Sequence, residues 1–375
     1  MGNLSNTVPF TELYERLLTM GRIDSPNNID YSKGIINDVY VRALPRIEDW
    51  ATLVAESVLS MTAKYNTGTV AVSAGGTAVT GTGTVWTSAM IATDGYKIKF
   101  SGNDNIYTFT YVGATSGTIS PALSGATAIS GGAYTIFRDT YQLASDFDRL
   151  LKNGSIYVYS GGRLSDIIEE MPVDKFREEF ISEAADPIRI AKLGTVHSST
   201  GYRQIVVNPP PATAKSYPYD YIKQLTPMTD YQVGSAEVTN ASTTVTGTDT
   251  YWLANAAAGD YFRVDNNGTG DSSKWYKIAS VSDNTTIVLE TAYGEASESG
   301  MEYTISKAPT AYPREFHEFI LYEAVLAVTS EQGDPVLEGL IDRRNAILLD
   351  LKKNYKSRNT NAQIKLEDGG YRGNW

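Results

Sequence analysis

Nucleophilic chemistry of the Ser/His/acid kind needs a histidine, and the chain holds only two: His197, in GTVHSST, and His317, in REFHEFI. No GxSxG elbow accompanies either one, so neither sits in the strand-to-helix turn that presents a hydrolase serine. Neither neighbourhood has a second histidine or metal-ligand spacing. Cysteine is absent, which excludes disulfides, thiolate catalysis and thiolate metal sites. GTGT at 81–84 lacks the Gly-Lys-Ser/Thr of a phosphate loop and lies in strand-like text, so a turn is the expectation. DNNGTGD at 265–271 departs from the EF-hand ligand order and reads as a hairpin loop. The carboxylates of DRLL, DIIEEM and KFREEF read as solvated helix faces. No catalytic, cofactor or metal residue is assigned.

Composition sets the frame for these residues. With 375 residues the chain is long enough for two or three domains. A hydrophobic content of 42% with 20% charged residues is that of a globular protein. No apolar run is long enough to predict a transmembrane helix, and the first residues, MGNLSNTVPFTELYERLL, lack the pattern of a secretory signal. The net charge of −11 opposes affinity for nucleic-acid phosphates. An acidic wall nonetheless suits DNA that slides past without sticking.

Periodicity predicts the supporting elements. Phe10, Leu13, Tyr14, Leu17 and Leu18 predict a helix over 9–21 opened by Pro9. A second helical stretch is expected over 30–65, interrupted at Pro45. From 68 to 138 the text turns Thr/Gly/Val/Tyr-rich and alternating, which predicts short antiparallel strands. Helix is expected again in TYQLASDFDRLL, RLSDIIEEM and PVDKFREEFIS, then a strand in RQIVVNPPP. Tyr217, Tyr219 and Tyr221 would share one face of a further strand. Strand text returns over 235–306, and helices follow over 313–355.

The two strand-rich segments are copies of each other. TAVTGTGTVW at 77–86 returns as TTVTGTDTYW at 243–252, an offset of 166. Tyr107 matches Tyr276, and Tyr134-Thr135-Ile136 matches Tyr303-Thr304-Ile305, at an offset of 169. Loops such as DNNGTGDSS absorb the change. Two copies of one β module are implied, each a small sandwich or barrel with its tryptophan and tyrosines in the core. The expected fold class is α+β: an α-helical core body with two homologous antiparallel β modules inserted in its loops. The core would comprise 1–66, 139–232 and 307–355, the modules 67–138 and 233–306, and an extended tail 356–375.

In PREFHEFILYEAVLAVTSEQ, Phe316, Phe319, Ile320, Ala324 and Val328 form one stripe, and Leu321, Val325 and Leu326 lie on another side. A helix apolar on more than one side needs more than one neighbour, so these three are candidate subunit-interface residues, or else the centre of the subunit core. Asp334 and Pro335 open the next helix, carrying Leu337, Leu340, Ile341, Leu348, Leu351 and Tyr355.

These residues resemble a known family. TYQLASDFDRLL after a β module, WYKIASVSDNTTIVLETAY within one, and YPREFHEFILYEAVLAVTSEQGDP at the helical ending look like head-to-tail adaptor, or connector, proteins of tailed bacteriophages. The resemblance implies a structural, non-enzymatic virion protein at the head–tail junction, assembled in the host cytoplasm, with no cofactor and no membrane. Its partners would be itself, in a ring and by family a dodecamer, the portal protein, and a tail or nozzle protein, with DNA passing through unbound. The basic tail would dock on the portal through Lys365, Arg372 and Trp375. The alternative class is a carbohydrate- or receptor-binding virion protein that uses its β modules.

Overall fold

The computed structural model describes residues 8–23, 28–125, 127–151, 156–160, 163–172, 174–175, 185, 187, 189–265, 273–332 and 337–356. They form two compact units, one from the described residues through Leu53 and from Leu225 onward, the other from Val54–Gln224. Strands outweigh helices. The described residues hold two eight-stranded sheets and one seven-stranded sheet, almost wholly antiparallel. The expected α-helical core body with inserted modules is therefore wrong.

The error lies in the middle of the chain. Thr140–Gln142, Phe147–Leu150, Ile156–Ser160, Arg163–Glu170, Arg189–Val196, Arg203–Asn208 and Lys215–Lys223 are strands. With Val54–Met61 they make one sheet, in which Val54–Met61 pairs along its whole length with Lys215–Ile222. Tyr141, Leu143, Phe147 and Leu150 are all buried. The three-to-four spacing of Leu143, Phe147 and Leu150 spans the turn between two short strands and imitates a helical stripe. The helix expected over 30–65 is likewise cut short. Val54 and Val58 sit at helical spacing, but Leu59 and Met61 alternate into the core and Val58 faces solvent. Packing against Tyr217, Tyr219 and Tyr221, which do share one buried face, decides for strand.

Three helical segments open the first unit: α1 (Phe10–Met20), α2 (Ile29–Asp38) and α3 (Leu44–Ile47), the last two joined by a π turn at Val39–Ala43. The wide turn falls just before Pro45, whose missing N–H and ring disfavour continued α-helix. Trp252–Asn255 is a single turn, α4; α5 (Arg314–Gln332) and α6 (Leu337–Tyr355) close the unit.

Both β modules are barrels of one topology. In the first, the sheet order runs 129–132, 69–72, 78–82, 116–120, 106–113, 96–100, 134–138. In the second it runs 298–301, 235–238, 244–248, 286–289, 276–283, 261–264, 303–306, with the short strand Asp230–Tyr231 added beside the last. Strands 129–132 and 134–138 of the first module, and 298–301 and 303–306 of the second, are consecutive in the chain yet lie at opposite sides of these seven-strand orders, so the chain bends there and brings the sheet round on itself. The same bonds hold each plug. Trp86 Nε1 donates to Tyr134 Oη (3.0 Å), which donates to the Thr67 carbonyl (2.6 Å). Trp252 Nε1 donates to Tyr303 Oη (2.9 Å), which donates to the Val233 carbonyl (2.5 Å). Thr84 and Thr250 each donate from Oγ1 to a hairpin carbonyl, Ala114 and Asn284. Gly81 and Gly247 must lack a side chain, because a Cβ there would strike those threonines.

Candidate functional site

The helical pair α5–α6 carries the residues assigned to self-contact. Leu321 and Val325 are buried within the chain, and Leu326 is half-buried. α5 is covered by α1, α2, the π turn and α6, so its second apolar side is filled by its own unit. Leu321 and Val325 are not available to a neighbour, and that assignment is corrected to subunit core. The core around α5 is aromatic: Phe316 packs edge-on to Trp50 (5.0 Å between centroids), and also contacts Tyr312 and Tyr355.

α6 is different. It is held to α5 by Arg344, which donates from Nε to Glu323 at 2.6 Å, and by Arg343, whose guanidinium lies over the Tyr322 ring. Much of its remaining surface is open. Leu349 is 70% exposed and Ile341 41% exposed, while Leu351 is buried. The run ILLDL at 347–351 contains the signal for Leu349: adjacent leucines on a helix cannot both face one neighbour. Lys365, Arg372 and Trp375 lie outside the described residues.

His317 lies on α5, buried, and accepts the Val8 N–H at Nδ1 (3.2 Å). Burial, helped by nearby Arg314, pushes its pKa down to about 4, so it stays neutral at ordinary pH. His197 makes an acid–histidine–hydroxyl chain. Its Nε2 lies 2.9 Å from Asp94 Oδ1, and its Nδ1 lies 3.1 Å from the Ser199 hydroxyl and 3.2 Å from that of Thr200. Both hydroxyls belong to the exposed turn immediately after the histidine, and that of Thr200 donates to Gln142 Oε1 at 2.9 Å. The set fastens that turn to the first barrel, as local side-chain bonds commonly do.

The barrels are fixed by different chemistry. In the first, Lys97 pairs with fully buried Asp139, and Arg138 stacks over Tyr141. In the second, Arg263 bridges Glu15 of α1 and Asp265 and covers Trp275. Asp230 there accepts from Thr11 and Ser306 and forms an ion pair with Lys33. Asp265, at the edge of the DNNGTGD loop, is engaged by Arg263 and Thr304; residues 266–271 lie outside the described ones. Among the described residues, no group of three or more His, Asp or Glu is placed to hold a metal ion.

No protein-family model matches the chain, and no curated protein matches it.

Proposed function

We propose that this protein is a structural virion component, a head-to-tail adaptor that assembles with copies of itself into a ring joining portal to tail around the DNA passage. One observation carries the reading. In the helical pair whose sequence resembles the adaptor ending, α6 leaves Leu349 and Ile341 in solvent while α5 is sealed. Exposed leucine and isoleucine on a 19-residue helix suit burial against a second copy. The middle sheet is not what the periodicity implied, so the reading rests on the terminal helices. The alternative, that the barrels bind glycan through their tryptophans, is weakened because Trp86 and Trp252 are core plugs.

Native mass measurement of the purified chain, alone and mixed with the portal protein of the phage that encodes it, tests the proposal. A closed multi-subunit species is expected, and Ile341→Asp with Leu349→Asp should abolish it. A monomer under both conditions, or an assembly indifferent to the double variant, contradicts it.

A further inference from the structure

The duplicated barrels agree inside and disagree at one end. Around the plug Trp252, Val233, Tyr251 and Leu253 are 52, 60 and 59% exposed. Two exposed acids flank them. Asp249 lies against Gly234, next to Val233, and Asp283 adjoins Asn284, which accepts the Trp252 and Leu253 N–H groups. At the equivalent positions the first barrel has Thr67, Val85 and Thr87, with Gly83 and Gly113 in place of the acids. The core demands none of these changes, since all five residues face water.

Charge follows the same division. Residues 233–306 carry ten acids against three bases, whereas residues 67–138 carry two acids against three bases. The surplus acidity of the chain is thus concentrated in one of two copies of a single fold. An apolar cluster flanked by carboxylates is complementary to a cationic partner that also brings an apolar side chain.

We propose that this end of the second barrel docks a basic polypeptide segment of another protein. Its aliphatic or aromatic side chain would lie on Tyr251 and Leu253, and its lysines or arginines would meet Asp249 and Asp283. The proposal does not depend on the adaptor reading.

The test titrates fluorescein-labelled synthetic peptides into the full-length chain. One interleaves lysine and arginine with leucine and tryptophan. A second keeps the bases but replaces the apolar residues by serine, and a third replaces the bases by glutamate. A fourth copies residues 356–375 of this chain. The first should bind best and weaken with added salt. It should lose about tenfold in affinity when Val233→Thr, Asp249→Gly, Tyr251→Val, Leu253→Thr and Asp283→Gly are combined. Each substitution installs what the first barrel already carries, and Tyr251→Ser with Leu253→Ser provides a smaller variant should the fivefold one misfold. Equal binding to wild type and variants, or no binding of the first peptide, overturns the proposal. So does tighter binding of the 356–375 peptide, which would make the occupant another copy of this chain.

Discussion

Trp86 and Trp252 plug two barrels that share strand order, closure and internal hydrogen bonds, yet one barrel continues into a β-sheet and the other packs on helices. The shared part is what a small barrel requires: a tryptophan satisfied by a tyrosine hydroxyl, a threonine capping a hairpin carbonyl, and a glycine that makes room for it. The divergent part is what the surroundings select. The first barrel is fastened by a lysine on a fully buried aspartate, the second by an arginine shared between partly exposed acids. A duplicated fold therefore separates the residues that make the structure from those that place and use it.

The comparison breaks first at the plugs. Trp86→Ala and Trp252→Ala should each cost about 3–5 kcal/mol in denaturant titration. A large loss in one barrel and a small one in the other would deny their equivalence. Acid should separate the two supports. His317 has a folded pKa of about 4 against an ordinary 6.5, so below pH 6.5 the unfolded chain takes up the proton first. The contribution of His317 to the stability of the helical unit should fall by up to roughly 3 kcal/mol as pH drops from about 6.5 to 4, and change little below that. Melting curves across that range check it, and His317→Gln should flatten the slope.

The fastenings should differ in strength. Lys97→Met strands the Asp139 carboxylate and should cost about 3 kcal/mol. Glu15→Gln removes a half-exposed partner while Asp265 still holds Arg263, and should cost less than about 1 kcal/mol by the same melts. The smallest effect concerns backbone. Gly83 and Asp249 both adopt positive φ, 70° and 56°. Gly83→Asp should destabilise the first barrel by about 1 kcal/mol, and Asp249→Gly should shift the second by less than about 0.5 kcal/mol, because relieved strain offsets the added freedom of the unfolded glycine.

The repeat was legible because Trp86 and Trp252, Gly81 and Gly247, and Thr84 and Thr250 are buried against one another in the two copies and leave little room for change. The helices at 10–20, 314–332 and 337–355 were legible because each keeps its period for at least three turns. Part of the middle sheet was not, because Thr140–Gln142 and Phe147–Leu150 are only 3 and 4 residues long and the spacing of Leu143, Phe147 and Leu150 across the turn between them fits a helical stripe as well. For a related reason the sequence left Leu321 and Val325 open between subunit core and subunit interface. Periodicity shows that α5 is apolar on several sides, but not that α1, α2 and α6 supply the cover. The exposed Tyr251 and Leu253 were hidden beside Trp252, where an apolar run reads as core.

The claim that α6 is where copies of this chain meet has a direct test, because the chain contains no cysteine. A spin label on Leu349→Cys, the sole thiol, reports its own surroundings by electron paramagnetic resonance. The account predicts a mobile label in the monomer that becomes strongly immobilised when the protein assembles. A label that stays mobile in the assembled state would contradict it.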